Sequence, residues 1–266
     1  THSKGILKST DGGNTWPQIQ TNTDLDRMRI TDTEIHKDNS QAILYIAANN
    51  QNNNGIATSS SNLYKITDSN GTITASVLGN LPDYPRTIAI SIQPNPNNDI
   101  IYVAAGTSKV YKSVDGGNSF VNKSNGLTVN NKDYHNISIS PADSNYLYVR
   151  IDSSSPHTFY SNNGGETWLQ PSNFNEGNLL LNPEDGWFSN QVAPHPVDKN
   201  IAITHLQSDR LVKTINGGQT WKYTGNGYMG ARRSVDKMSV YFDPSNPNRT
   251  IFFLVDHGPI ITEDDG

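Results

Sequence analysis

The chain has 266 residues, of which 33% are hydrophobic and 17% are charged, and its formal net charge at pH 7 is −5. This acidic balance argues against a nucleic-acid groove or an anionic membrane surface as the main partner. The sequence contains no cysteine, which excludes disulfides, thiolate nucleophiles and thiolate metal ligands. No apolar run approaches the roughly 20 residues that span a bilayer, and no helical spacing lasts three turns.

The first motif along the chain is STDGGNTW (Ser9–Trp16), and it recurs. Its further copies are SVDGGNSF (Ser113–Phe120), SNNGGETW (Ser161–Trp168) and TINGGQTW (Thr214–Trp221). We call these four segments the boxes. A weaker match (Ile66–Ile73) and a partial one (Thr262–Gly266) continue the series. The equivalent acid or amide positions lie 47 to 57 residues apart, at Asp11, Asp68, Asp115, Asn163, Asn216 and Asp264. A period near 50 residues predicts a repeat architecture.

A second, proline-containing element keeps phase with the boxes. Its first proline precedes the next box acid or amide by 20 to 22 residues in four units, and the copies are Ser91–Ala104, Ser138–Arg150, Gln191–Thr204 and Tyr241–Leu254. Alternating and continuously apolar stretches around these turns indicate four short strands per unit. In the third unit the predicted strands are Thr87–Gln93, Asp99–Ala105, Lys109–Val114 and Ser119–Ser124.

Four antiparallel strands per unit predict an all-β fold, a β-propeller of four-stranded blades joined by box hairpins. A parallel β-helix is the main competitor, but its coils are shorter and need no such hairpin. The units fall near residues 1–32, 33–86, 87–135, 136–189, 190–238 and 239–266 of a single segment spanning residues 1–266. They supply about five blades, and we expect the chain to be part of a longer propeller.

The boxes resemble the Asp-box (BNR) repeat, S/T-x-D-x-G-x-x-W/F. This repeat is found in sialidases, xyloglucanase-type glycoside hydrolases, sortilin-type receptors and a photosystem assembly factor. The coupled proline element is most similar to the xyloglucanase-type and sortilin-type branches. In that family the box is the turn between the third and fourth strands of a blade. The resemblance therefore implies that ligands bind at the opposite face, where one blade crosses to the next.

Turn chemistry agrees with a structural role for the box. An Asp or Asn can bond to turn backbone, and paired glycines supply the positive φ that other residues resist. A catalytic role is excluded because Asn163 and Asn216 replace the acid in two boxes, and a phosphate cradle because no helix follows the glycines. The aromatic that ends each box is expected to fill the wedge between blades, at Trp16, Phe120, Trp168 and Trp221.

Candidate functional residues lie in the crossovers between predicted blades. Aromatic rings beside charged groups suit a polar ring-shaped ligand such as a sugar, and the candidate ligand-binding residues are Tyr84, Arg86, Tyr134, Trp187, Tyr228, Arg232 and Arg233. The candidate catalytic acids are Asp133, Asp185 and Asp236. The alternative is that Trp187 starts a buried strand and that the charges are solvated loop residues. Seven histidines are scattered without ligand spacing, so no metal site and no cofactor is expected.

Two enzyme families can be compared with these residues. Sialidases need three arginines around one carboxylate and carry an R-I-P signature, which RMRIT (Arg27–Thr31) lacks. Xyloglucanase-type hydrolases invert configuration with one carboxylate on each of two seven-bladed propellers, which this length cannot supply alone. The sequence thus favours a secreted or cell-surface module that recognises polysaccharide or protein, without nucleic acid or membrane insertion. The alternatives are a segment of a xyloglucanase-type hydrolase and a scaffold in a surface assembly.

Overall fold

A computed structural model gives the structure of the chain. It describes residues 6–21, 23, 25, 28–37, 40–49, 62–106, 109–128, 134–151, 158–172, 192–206, 210–224, 240–243, 245–254 and 258–263. For residues 49, 134, 135, 205, 206, 210, 253, 254 and 258 it describes the backbone alone.

In the part of the chain that the structure describes, five antiparallel sheets, which we name A to E, follow one another, and each pairs its strands in sequence order. Sheet A contains β1 (Arg29–Lys37), β2 (Ala42–Asn49), β3 (Asn62–Ser69) and β4 (Thr72–Val77). Sheet B contains β5 (Pro85–Ser91), β6 (Ile100–Ala105), β7 (Lys109–Ser113) and β8 (Val121–Asn122), with a 3₁₀ helix at Pro96–Asn98. Sheet C contains β9 (Tyr134–Ile139), β10 (Leu147–Ile151) and β11 (Thr158–Ser161). Sheet D contains β12 (Ala193–Pro194), β13 (Ala202–Leu206), β14 (Arg210–Thr214) and β15 (Lys222–Tyr223). Sheet E contains β16 (Val240–Asp243), β17 (Asn246–Leu254) and β18 (Gly258–Thr262).

The predicted all-β class with four-stranded antiparallel sheets is confirmed. In sheet B all four predicted strands form, within two residues of the expected bounds. The fourth strands that follow a box are short because the box residues leave the ladder to build a turn. β8 and β15 have two residues each, and in sheet C an isolated bridge between Tyr160 and Leu169 takes this place.

The chain forms two compact units, Thr1–Gly106 with Tyr111–Val121, and Thr107–Val110 with Asn122–Gly266. The core of the first unit includes the second strands of sheets A and B, where aromatic and β-branched side chains such as Tyr45 and Val103 are buried. The core of the second unit includes a cluster from sheets C and D around Tyr148 and Trp221. The second strands β6 and β10 are buried on both faces, which is typical of strands that read in the sequence as nearly continuous apolar runs.

Asp68 does not sit in a box-like turn, although its position in the series is equivalent. β3 and β4 are joined by a two-residue hairpin in which Asn70 has a φ of 52° and Gly71 a φ of 91°, the conformation of a type I′ turn. Asp68 Oδ1 accepts a hydrogen bond from the Gly71 N–H at 2.9 Å, and Asp68 Oδ2 contacts Lys8 Nζ. The weaker sequence match is therefore a different and tighter turn.

Candidate ligand-binding site

Each box folds into a closed network of short hydrogen bonds. In the first, the Ser9 hydroxyl donates to Asp11 Oδ1 (2.7 Å) and accepts from the Gly13 N–H (2.8 Å). Asp11 also accepts from the Thr15 N–H (2.9 Å) and from the Thr15 hydroxyl (2.6 Å). The same bonds recur around Asp115, and they lower the pKa of both carboxyls to about 2, the side-chain hydroxyl at the fourth residue after the acid contributing most.

The boxes that carry Asn keep the same geometry with one bond reversed. Asn163 Oδ1 accepts from the Ser161 hydroxyl and the Thr167 N–H, as an aspartate would. Its Nδ2 donates to Thr167 Oγ1 at 2.8 Å, where the Asp boxes have a hydroxyl donating to carboxylate. Asn216 and Thr220 repeat this arrangement. The acid or amide side chain therefore holds the turn together through hydrogen bonds within its own box.

The box aromatics are not all buried, in contrast to the expectation from the sequence. Trp168 and Trp221 are 2% and 1% exposed, and Phe120 is partly buried. Trp16 is 58% exposed, so among the described residues it fills no wedge. Its indole Nε1 donates to Gly13 O of its own turn, as that of Trp221 does to Gly218 O. Trp221 has the Tyr148 ring against it as well, and among the described residues Trp16 has no such ring.

Sheet B carries an ordered polar group at the end opposite its box, which we call the crossover end. The Tyr111 hydroxyl donates to Asp83 Oδ2 at 2.6 Å, and the Arg86 guanidinium lies 4.8 Å from the centre of the Tyr84 ring. Gly106, which follows β6, donates to Tyr84 O at 2.8 Å. Its φ is 53°, and a Cβ there would lie 2.7 Å from the Asp83 Cβ. The segment before β5 is thus clamped from two sides.

The first strands of three sheets share a β-bulge at this end. In each, one residue lies outside the ladder between two paired residues, and these bulged residues are Thr31 on β1, Arg86 on β5 and His135 on β9. Bulges redirect a side chain and are common near functional sites. The predicted ligand-binding residue Arg86 occupies one of these positions, and Tyr134 lies beside another as the first residue of β9.

Two acidic residues that the sequence analysis did not select lie on one face of β1, because residues two apart on a strand point the same way. Asp32 Oδ2 accepts from the Ile88 N–H of β5 at 2.9 Å, and its Oδ1 accepts from the Thr33 N–H. Burial, with the nearby charge of Asp32 added, raises the pKa of Glu34 to about 7. A carboxyl that is half protonated near neutral pH is a candidate general acid.

His36 continues that face but lies in a closed environment. Its Nδ1 is 2.7 Å from Asp99 Oδ2, which also accepts from the Tyr45 hydroxyl at 2.9 Å, while Asp99 Oδ1 accepts from the Gln93 N–H. Since the carboxylate can only accept, Nδ1 carries the proton. His36 and Asp99 are 3% and 0% exposed, so this cluster fastens sheet A to sheet B rather than meeting a ligand. The partner of His36 lies 63 residues away in the sequence, so sequence spacing alone could not indicate this contact.

Most of the remaining predicted site residues lie outside the described part of the chain. These are Asp133, Trp187, Asp185, Tyr228, Arg232, Arg233, Asp236 and the box residue Asp264, and only the backbone of Tyr134 is described. The structure brings together Tyr84 and Arg86. Within the described ranges, no group of three or more His, Asp or Glu residues is arranged to hold a metal ion. The described residues also include no helix of sufficient length and apolar character to cross a membrane.

No protein-family model matches the chain, and no curated protein matches it. Solved structures do. An ancestral GH74 enzyme is 17% identical with a TM-score of 0.59, over 96% of this chain and 33% of the enzyme. YCF48 bound to a D1 peptide is 14% identical with a TM-score of 0.40, over 97% of this chain and 85% of that one. A mutant of Trypanosoma rangeli sialidase displaying trans-sialidase activity is 11% identical with a TM-score of 0.45, over 97% and 49%.

The chain therefore spans a third of the length of the GH74 enzyme that it matches. This GH74 enzyme is a β-propeller. At such identities the likeness concerns the path of the backbone, and it agrees with the five consecutive antiparallel sheets. The chain has the β-propeller fold that its repeat period predicted.

Proposed function

We propose that the chain is an Asp-box propeller module, secreted or displayed at a cell surface, that recognises a polysaccharide or protein ligand at the crossover ends of its sheets. The four box networks support membership of the Asp-box class. They also leave the box acids without a catalytic role, since each acid or amide is held by hydrogen bonds within its own turn.

The observation that carries the proposal is the clamped group before β5. Tyr84 and Arg86 are partly exposed and stacked, with the guanidinium 4.8 Å from the ring centre. Asp83 is held in place by Tyr111, so its carboxylate does not need to be ordered when a ligand binds. A flat cationic and aromatic surface beside a fixed carboxylate matches the ring faces and hydroxyl groups of a sugar. We therefore favour a polysaccharide as the first ligand to test.

The test is a screen of the whole chain against an array of soluble polysaccharides, with product analysis of every positive. The wild type should bind at least one glycan without releasing reducing ends. Tyr84→Ala and Arg86→Ala should weaken that binding about tenfold, because each removes one half of the stacked pair. The matched control is Tyr241→Ala, a 56% exposed tyrosine on sheet E, which should leave binding unchanged.

Two outcomes count against this proposal. If no polysaccharide binds, the polysaccharide ligand is wrong and a protein ligand remains. If binding survives in Tyr84→Ala and Arg86→Ala while their thermal unfolding matches the wild type, the clamped group is not the site.

A second candidate function, part of a glycoside hydrolase, is favoured by one observation. Glu34 has a pKa raised to about 7 and follows Asp32 on the same face of β1, roughly 7 Å away along the strand. Canonical glycosidases use one carboxylic acid that donates a proton and one carboxylate. Release of reducing ends from xyloglucan, lost in Glu34→Gln but kept in Glu166→Gln, would favour this function. Glu166 is an exposed residue that pairs with Lys123. The other acids to replace are Asp133, Asp185 and Asp236.

A further inference from the structure

Arg150 is a buried arginine between two sheets. It is the penultimate residue of β10, is 2% exposed, and is paired across sheet C with Asn136 and Thr158. Because alternate residues share a face, Arg150 lies on the same face as Tyr148, whose ring centre is 6.0 Å from that of Trp221 in sheet D. The guanidinium therefore lies between sheets C and D at their crossover ends.

Buried donors of Arg150 and of its neighbour Thr158 lack hydrogen-bond partners among the described residues. Within the described ranges no atom hydrogen-bonds with the buried Nε and Nη1 of Arg150, and the buried hydroxyl of Thr158 is equally unsatisfied. Burial alone lowers the pKa of Arg150, to about 10, whereas a nearby carboxylate would raise it. A buried charge is stable only when it is paired and hydrogen-bonded. These donors consequently indicate an anion that completes the site.

The fold itself does not require an arginine here. The equivalent positions of sheets A and B, each opposite the bulge of the first strand, hold Ala47 and Ala104, and both are fully buried. Sheet C places at this position a side chain with five N–H donors and a fixed positive charge. The hydrogen bonding between the strands does not explain why sheet C has an arginine where sheets A and B have alanine, whereas the binding of an anion does.

We propose that Arg150 and Thr158 bind one carboxylate group of a ligand that enters between sheets C and D at their crossover ends. The guanidinium offers charged N–H donors, Nε and Nη1 among them, to the carboxylate oxygens, and the Thr158 hydroxyl donates to one of these oxygens. One guanidinium balances one negative charge, so a monoanion fits better than phosphate, whose second charge would stay buried and unpaired. A sugar acid and a peptide carboxylate both supply this group. The proposal does not depend on the function of the Tyr84–Arg86 pair.

The test compares thermal unfolding of the wild type and Arg150→Met in sodium glucuronate, N-acetylglycine, phosphate and chloride at equal ionic strength and pH 7. In the wild type, glucuronate or N-acetylglycine should raise Tm saturably by about 2 to 6 °C relative to chloride, and phosphate should raise it less. The stronger of the two carboxylates identifies the source, a sugar acid or a peptide. Arg150→Met should show no carboxylate-dependent rise, and in chloride it should be at least as stable as the wild type because no unpaired charge is buried.

Two further variants control for general salt effects and for the loss of a buried hydroxyl. Thr158→Val should weaken the carboxylate effect about fivefold, while Thr250→Val, which removes an equally buried and unsatisfied hydroxyl in sheet E, should leave it unchanged. Arg249→Met removes an arginine that already has Asp243 and Glu263 as partners, and it should also leave the effect unchanged.

Three results would overturn the proposal. The first is a wild type whose Tm responds to carboxylates no more than to chloride. The second is an equal response in Arg150→Met. The third is an Arg150→Met that loses stability in every salt, which would mean that a carboxylate of the same chain already pairs with Arg150.

Discussion

The Nδ2 of Asn163 donates to the Thr167 hydroxyl at 2.8 Å, in the position where the Thr15 hydroxyl donates to Asp11 at 2.6 Å. A hydroxyl can both donate and accept a hydrogen bond. Rotation of the threonine hydroxyl hydrogen therefore allows the same box turn to form around an acid or an amide. The box therefore tolerates the exchange of Asp and Asn, and its dependence on acid should differ between the two kinds of copy.

The first prediction concerns the acid dependence of the box in sheet B. Hydrogen bonds, that of the Ser119 hydroxyl foremost, lower the pKa of Asp115 from 3.8 to about 2. Asp115 is thus protonated at a lower pH in the folded state than in the unfolded state. Its contribution to stability is full above about pH 4 and is lost as the pH falls towards 2. Asp115→Asn should match the wild type in urea midpoint at pH 6 and lose less stability on acidification.

The reverse exchange provides the control. Asn163→Asp should gain acid dependence over the same pH range, because it places a carboxyl in a hydrogen-bond network like the one that surrounds Asp115. Urea titrations of both variants between pH 2 and pH 6 measure this. Equal acid slopes in Asp115→Asn and the wild type would mean that the carboxyl does not contribute.

The second prediction separates backbone strain from crowding at the second glycine of two boxes. Gly13 and Gly117 have φ values of 93° and 94°, so alanine costs about 1 kcal/mol or more of conformational strain at either. A Cβ on Gly117 would lie 2.7 Å from Leu78 Cδ1, whereas on Gly13 its nearest neighbour is Trp16 Cζ2 at 3.8 Å. Gly117→Ala should therefore lower the free energy of unfolding by about 1–3 kcal/mol more than Gly13→Ala, as measured by denaturant titration. Equal losses would show that the leucine moves aside freely.

The third prediction concerns two tryptophans at the same box position. Trp168 is 2% exposed and its Nε1 donates to Lys123 O at 2.7 Å, while Trp16 is 58% exposed. Trp168→Ala should cost about 3–5 kcal/mol, because it leaves a cavity and an unpaired carbonyl. Trp16→Ala should cost less than about 1 kcal/mol. Chemical unfolding followed by circular dichroism measures both, and a large loss in Trp16→Ala would show that this ring is covered in solution.

The fourth prediction concerns Glu34. Burial raises its pKa from 4.5 to about 7, so the folded state holds a proton that the unfolded state releases, and the free energy of unfolding should fall as the pH rises from about 4.5 to 7. Glu34→Gln should flatten this part of the pH profile and be more stable than the wild type above pH 7. Glu166→Gln, at an exposed carboxylate, should keep the wild-type slope. A persistent slope in Glu34→Gln would assign the titration to another group.

The fold was predictable because its determinants are local. A hydroxyl, an acid or amide and two glycines within eight residues specify the box hairpin, and in all four boxes the N–H of the second glycine donates to the first hydroxyl. Trp16 shows the limit of this locality. The turn that contains Trp16 forms as the sequence predicts. The ring that packs against Trp221, however, belongs to Tyr148, 73 residues away in the sequence.

The polar sites were less predictable because they depend on residues from other strands. The alternation D-T-E-I-H (Asp32–His36) could have indicated one face that carries two acids and a histidine. It could not have shown that Asp99 closes on His36, or that burial shifts the pKa of Glu34. Arg150 gave no signal in sequence beyond a charge in an apolar run. Only the burial of that strand in the folded chain makes the charge costly.

The bulge at the start of β1, β5 and β9 has a consequence for how such a chain can change. The bulged residue makes no ladder pair, so a substitution there leaves the register of its neighbours intact. The three sheets hold a threonine, an arginine and a histidine at this position, which are a hydroxyl, a cation and an imidazole on nearly the same backbone. Each of these sheets thus has one position at which the side chain can be substituted without changing the packing of its core.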